Sequence, residues 1–343
     1  MRKTKRIKKS AFVIWAKEVK LSEFLAKALG AELVVSFVPT FSTGEKMPVW
    51  LRYIFQAKDT WQRLSKIKPA FVYVQNPPIF ATLVVWIYSL LNGCRFGIDT
   101  HTAGFLDRKW VFFHPLHRFL ARRATINTVH NYRNLEILKK WKIKNGKVLQ
   151  FYSPKKEELL STEAGANLPI EDLIANHLGL KVFMVNRFAT DDAWREVIAT
   201  AKKMPQALFF ITGSFAKIKN IEKEVFPENV VLTGYLKHAD FIALMEKCDV
   251  VLALTKRADT VLWSVREALA LAKPLVISDS EVLRFYFSSM AVFSDHQPTN
   301  LVVSILLAYK KRDELKEKME SFFKKDRIRW TKDIRQISKA IFG

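Results

Sequence analysis

"ADTVLWSVREALALAKPLVISDS", residues 258–280, reads as a loop, an apolar helix over 261–272, a short loop and a buried strand over 274–279. Two acids break its apolar character, Asp259 ahead of the helix and Glu267 inside it. An acid at a helix start complements the helix dipole by about 0.3–1 kcal/mol and needs no further role. The spacing asks for more. Eight residues place Glu267 about two turns inside the helix while Asp259 stays in the loop, so the two carboxylates need not touch the same atom.

The same alternation extends in both directions. "LKVFMVN" (180–186), a helix over 191–203, "ALFFITG" (207–213), "VVLTGY" (230–235), a helix over 238–247 and "DVVLALT" (249–255) precede it. In the first half, "AFVIWA" (11–16), "AELVVSFV" (31–38), "FVYVQNPP" (71–78), "CRFGIDTHT" (94–102), "ATINTVHN" (124–131) and "KVLQFY" (147–152) are strands, with a helix at 21–30. Apolar runs alternating with helices imply a mostly parallel sheet covered on both faces. A polar stretch at 153–180 separates two such series. The fold class is therefore α/β, two Rossmann-like doubly wound domains in tandem with a cleft between them. The expected boundaries are 1–165, 166–325 and a C-terminal helix over 326–343 that crosses back to the first domain. In such sheets ligands lie beyond the strands' carboxyl ends. Asn76, His101, Arg187, Gly213, Gly234 and the loop 255–260 fall there. Neither GxGxxG nor GxxxxGK[ST] occurs, which removes the usual dinucleotide fingerprint and the P-loop.

The chain has 343 residues, 49% hydrophobic and 26% charged, a globular composition. Cys94 and Cys248 sit in apolar segments without a CxxC pattern, so no disulfide framework or zinc site is indicated, and a reducing cytosol is the default. The net charge of +23 is lopsided: residues 1–150 hold 27 basic against 8 acidic residues, starting with "MRKTKRIKKS". An anionic partner for the first half follows, either nucleic acid, an anionic membrane surface or a phosphorylated acceptor. The longest apolar stretch, "IFATLVVWIYSLLNGC" (79–94), is too short to cross a bilayer and reads as a buried helix.

Residues 180–295 resemble the retaining family 4 of GT-B sugar-nucleotide-dependent glycosyltransferases. "VFMVNRFATDDAWREVIATAKKM" is similar to that family's first strand, arginine and helix, "LFFITGS" to its glycine-ended second strand, and "DTVLWSVREALALAKPLVISD" to its signature of two acids eight residues apart. The resemblance implies that Asp259 holds hydroxyls of the transferred sugar, that Glu267 holds the ribose, and that the amides of Thr260, Val261 and Leu262 meet the diphosphate. Arg187 is implied as its cation, and Gly213, Tyr235 and Leu236 as backbone contacts to the base. Two positions depart from the family. The loop acid is Asp rather than Glu, and Asp192 stands where a basic residue is usual, which leaves Lys256 and Arg257 as substitute cations.

"VQNPPIFATLVVWIYSLLNGCRFGIDTHTAGF" resembles the acceptor-domain segment of GT-B enzymes that elongate lipid-linked or cell-surface glycans. It implies Asn76 and Thr102 toward the acceptor and His101 at the donor sugar. An inverting enzyme would take Asp99 or His101 as its base, whereas a retaining one lets the departing phosphate accept the proton. His114 and His117, on an amphipathic basic helix, read as surface residues. No metal and no cofactor are expected beyond the UDP- or GDP-sugar substrate. The segments 114–124 and 135–147 interleave Arg118, Arg122, Arg123, Lys139, Lys140, Lys142, Lys144 and Lys147 with Phe119 and Trp141, as suits an anionic headgroup zone. The expected location is cytoplasmic, peripheral on the inner face of the cell membrane, with a glycan or lipid-linked acceptor. Three alternatives stay open: a non-catalytic relative that binds nucleotide sugars, a sugar-nucleotide epimerase, and a nucleic-acid-binding protein, although no RNP, zinc-finger or helix-turn-helix signature supports the last.

Overall fold

The computed structural model describes residues 9–17, 20–38, 47–150, 152–159, 170–218 and 224–342. Most of the opening basic run and the expected boundary at 165/166 lie outside them. The chain divides into two compact units, residues 1–152 with 328–343, and residues 153–327.

The first unit is built on β1 (Ser10–Ile14), β2 (Glu32–Val35), β3 (Phe71–Asn76), β4 (Arg95–Thr100), β5 (Ile126–Val129) and β6 (Gly146–Val148). They form a parallel sheet in the order β2-β1-β3-β4-β5-β6. β1, β3 and β5 are buried along their whole length, which is why β1 and β3 read as largely apolar runs rather than alternating ones, while β5 buries the polar Asn127 and Thr128. One face packs with Leu64, Ile79, Val85 and Leu120, the other with Leu25 and with Trp330, Ile337 and Ile341 from the helix Arg312–Phe342. The helix Ile79–Asn92 departs from its expected burial. Ile87 (39%), Leu90 (62%) and Leu91 (72%) are exposed, because only the face carrying Ile79, Ala81, Val85 and Tyr88 meets the sheet and its neighbouring helices.

The second unit carries β7 (Lys181–Met184), β8 (Leu208–Thr212), β9 (Val230–Gly234), β10 (Val250–Ala253), β11 (Leu275–Ser278) and β12 (Val292–Ser294). Its parallel order, β12-β11-β10-β7-β8-β9, reverses direction between β7 and β10. That is the Rossmann arrangement, and it puts the crevice of the sheet beside the ends of those two strands. The fold class expected from the sequence is thus present, as two doubly wound parallel sheets.

The opening stretch resolves into the helix Trp263–Ala270 followed by β11. The helix is shorter than the periodicity suggested. It ends in a Schellman motif, in which the Lys273 amide donates to the Ala268 carbonyl and the Ala272 amide to that of Leu269, with Ala272 at φ 51°. Pro274 then starts the run into β11 without an amide to satisfy.

Candidate functional site

At the point where the second sheet reverses, the chain leaving β7 supplies Asn186 and Arg187, and the chain leaving β10 supplies Thr255 to Asp259. Beside Asn186 and Arg187 lies a cavity of about 270 Å³, lined also by Asp192, Leu254, Leu262, Trp263 and Glu267 but by no residue of the loop 255–259. Gly213, after β8, abuts the backbone of Asn186 and Arg187. At φ 108° it holds a conformation side chains disfavour, and an added Cβ would stand 2.6 Å from the Asn186 carbonyl oxygen. Glycine is needed there so that the Arg187 loop can approach.

The charges in this loop are matched. Arg187 Nη2 lies 3.1 Å from Asp191 Oδ2 and 3.1 Å from Asp192 Oδ1, with its side chain 55% exposed. Burial opposes the Arg187 charge, but Asp192 and Asp191 outweigh it and raise its pKa. The buried Asp192 also accepts the backbone amides of Arg187 (2.8 Å) and Ala189 (3.0 Å) on Oδ2. The residue that departs from the family pattern is therefore the loop's own fastener. The two cations expected to substitute are likewise engaged, Arg257 with Asp191 at 3.0 Å and Lys256 with Glu196 at 2.6 Å.

Glu267 is buried, and its Oε1 takes the indole N–H of Trp263 at 2.9 Å and meets His238 Nε2 at 2.9 Å. Trp263 precedes it by one helical turn, while His238 arrives at the start of another helix, His238–Lys247. Asp259 is half-buried in left-handed backbone, φ 56°, a conformation that a short polar side chain such as Asp tolerates. The amides of Thr260, Val261 and Leu262 donate to no atom of the described residues. They precede the helix, however, with Leu262 as its N-cap, and only Leu262 of the three lines the cavity. Tyr235 is 77% exposed, and Leu236 packs against the core of the unit.

In the first unit, Asp99, at the end of β4, is fully buried and accepts the Thr128 hydroxyl at 2.6 Å. His101 and His130 flank it at 3.4 Å each. Burial opposes the Asp99 charge, but the two imidazoles outweigh it and hold the carboxyl well below its usual range. Burial lowers the His101 pKa, whereas at His130 the carboxylate overcomes burial and raises it. The sequence reading found Asp99 and His101 but passed over His130, whose place after β5 was its only signal. Asn76 is buried, its amide 3.2 Å from His117 Nε2. Thr102 accepts the Asn134 side-chain amide at 2.9 Å. His117 is a correction. It is buried rather than superficial, because the helix His114–Ala121 turns it inward to bridge Asn76 and Thr100, and burial pushes its pKa down to about 3.

Several solved structures share this architecture. Sucrose-phosphate synthase from Thermosynechococcus elongatus superposes with a TM-score of 0.74 over 97% of this chain and 100% of its own, at 13% identity. HepE of Anabaena, in complex with UDP and glucose, gives 0.72 over 97% and 99%, at 14% identity. An Escherichia coli structure described as trehalose-6-phosphate bound with UDP-2-fluoro glucose gives 0.69 over 96% and 99%, at 12% identity. No curated protein matches the sequence. The fold is that of the GT-B glycosyltransferases. Residues 173–326, nearly all of the second unit, match the family of glycosyl transferases group 1, so the second unit is a domain of that group and the chain a glycosyltransferase.

Proposed function

We propose that this enzyme moves a hexose from a nucleoside-diphosphate sugar, of the UDP or GDP type, to a glycan acceptor carried on a lipid or at the cell surface. The observation that carries the donor half is the cavity at the reversal of the second sheet, where the buried Glu267 faces inward beside Arg187. A buried carboxylate with one oxygen already engaged suits the paired hydroxyls of a ribose. Arg187 and the amides at 260–262 would meet the diphosphate, and Asp259 the sugar. The neighbouring HepE structure holds UDP and glucose, which favours a uridine donor.

In the transfer, the bond from the anomeric carbon to the phosphate oxygen breaks as the acceptor oxygen bonds to that carbon. The departing phosphate oxygen takes the acceptor's proton on the same face, which gives retention. Charge builds on the phosphate, where fixed cationic and N–H donors lower the barrier without a metal. Arg187 is shared with Asp191 and Asp192, so donor binding competes with those pairs.

The acceptor half rests on the surface of the first unit. Trp50 (66%), Ile54 (57%) and Phe112 (82%) are exposed, and Arg52, Lys109 and Arg123 stand over aromatic rings. Tyr53, Phe80, Phe113 and Phe112 form a continuous ring-to-ring path joining these elements. Aromatic groups among cations favour an anionic bilayer surface, at about 1 kcal/mol per cation. Among the described residues no helix is long and apolar enough to cross a membrane, so the attachment proposed is peripheral, on the cytoplasmic face.

Calorimetric titration with UDP, GDP and ADP, followed by hydrolysis assays with the matching sugar nucleotides, tests the donor half. Binding of none of them refutes it. Tight binding without hydrolysis or transfer on any acceptor favours the non-catalytic alternative. Sedimentation with vesicles tests the acceptor half, with binding expected only to anionic lipid.

A further inference from the structure

Asp99, His101 and His130 bring one ligand atom each to within 4.8 Å of one another. Asp99 Oδ2 is 3.4 Å from His101 Nε2, and Asp99 Oδ1 is 3.4 Å from His130 Nε2. Both separations exceed the 2.7–3.2 Å of an ordinary N–H···O hydrogen bond. The separation from Oδ2 to His101 Nε2 matches two ligands sharing a cation, since metal bonds of about 2.0–2.1 Å at tetrahedral angles set neighbouring ligand atoms roughly 3.3–3.4 Å apart. Asp99 is fully buried, and its Oδ2, like His101 Nε2, is enclosed without a hydrogen-bond partner among the described residues. A buried carboxylate oxygen in that state calls for a cation.

The surroundings prepare the ligands. His130 Nδ1 lies 3.0 Å from the Leu149 carbonyl, to which it donates, so the neutral ring presents the lone pair of Nε2 toward the cluster. The Thr128 hydroxyl holds Asp99 Oδ1 at 2.6 Å and is itself 2.8 Å from the Tyr73 hydroxyl. Partners of this kind orient imidazole and carboxylate ligands in metal sites. The His101 side chain is 22% exposed, which leaves a way in for a fourth, exchangeable ligand.

We propose that Asp99, His101 and His130 bind one divalent first-row cation of the Zn2+ class. Two imidazoles and one carboxylate suit such ions better than Mg2+ or Ca2+, which prefer all-oxygen sites. The ion fixes His101 through Nε2 and leaves Nδ1 for an acceptor oxygen or water. Every ligand belongs to the first unit, so the site stands independently of the donor cavity, and loss of nucleotide binding by a Glu267 variant leaves it intact.

The test uses the full chain, stripped with a chelator and titrated with Co2+ alone. One equivalent is expected, with the visible ligand-field bands of a four-coordinate site, displaced by Zn2+ and not by Mg2+. His101→Gln is expected to weaken Co2+ binding at least about tenfold, and His130→Gln to do the same. His177→Gln should leave it unchanged. His101 is the least buried of the three, so its variant stays informative if His130→Gln fails to fold. Less than one equivalent of Co2+, or equal affinity in wild type and His101→Gln, overturns the site in favour of an Asp99–imidazolium pair.

Discussion

Asp192→Asn separates two roles that Asp192 combines. Its Oδ2 accepts the amides of Arg187 and Ala189, and its Oδ1 holds the Arg187 guanidinium at 3.1 Å. Asparagine keeps an oxygen for the two amides but turns an NH2 toward the guanidinium, so the loop stays closed while Arg187 is released. The Arg187 side chain is 55% exposed, so its pair with Asp192 is worth at most about 1 kcal/mol. A diphosphate that must displace this pair recovers up to that amount, which is an affinity gain of about fivefold. Turning charge-assisted amide bonds into neutral ones costs about 0.5–1.5 kcal/mol of stability. UDP titration by calorimetry at low and high salt, alongside chemical denaturation, reads both effects. The expected result is tighter UDP binding, more so at low salt, in a slightly less stable protein. Equal or weaker UDP binding at both salt concentrations would refute the claim that Arg187 meets the diphosphate.

Three further substitutions probe other parts of the molecule. Gly213→Ala forces a side chain to φ 108° and a Cβ to within 2.6 Å of the Asn186 oxygen, so a loss of about 1–3 kcal/mol is expected by urea denaturation, with weaker UDP binding as the Arg187 loop shifts. Arg266→Ala strands the buried Asp326, which Arg266 Nη1 meets at 3.1 Å, and should cost about 3–5 kcal/mol, read as a large fall in Tm. His117, pushed down to about 3, stays neutral in the folded state while the unfolded chain protonates near pH 6.5. Its stabilising contribution is whole above that pH and falls by about 1.4 kcal/mol per unit as pH drops toward 3. His117→Gln should flatten the acid limb of a stability-against-pH curve by about that slope, and an unchanged slope would contradict its burial.

Much of the fold was legible because strands buried on both faces appear as largely apolar runs, as in β1, β3 and β10. β12 escaped because it is three residues long and ends on a polar one, Val292–Ser294. The helix Ile79–Asn92 misled for the opposite reason: its apolar residues run all round, so the sequence could not mark which face the sheet would leave bare. At the candidate site, the family signature pointed to Asp259 and Glu267, and of the two Glu267 lines the cavity. The partners of the site acids were not legible, since His238 reaches Glu267 across 29 residues and His130 reaches Asp99 from the following strand. Contacts of that kind depend on sheet order, which periodicity does not encode. Asp192 was recognised as a departure from the family pattern, yet its capture of two amides is a matter of loop geometry that only coordinates display.

The central claim is that Glu267 grips the ribose of the donor. Its most direct test is a cycle between UDP and 2′,3′-dideoxy-UDP on the one side and wild type and Glu267→Gln on the other, measured by calorimetry. A charged hydrogen-bonding contact worth about 1.5–3 kcal/mol predicts that wild type prefers UDP by roughly 10–100-fold. Glu267→Gln should lose that preference and bind both nucleotides as weakly as wild type binds the dideoxy form. A wild type indifferent to the ribose hydroxyls, or a Glu267→Gln variant that still distinguishes them as wild type does, would contradict it.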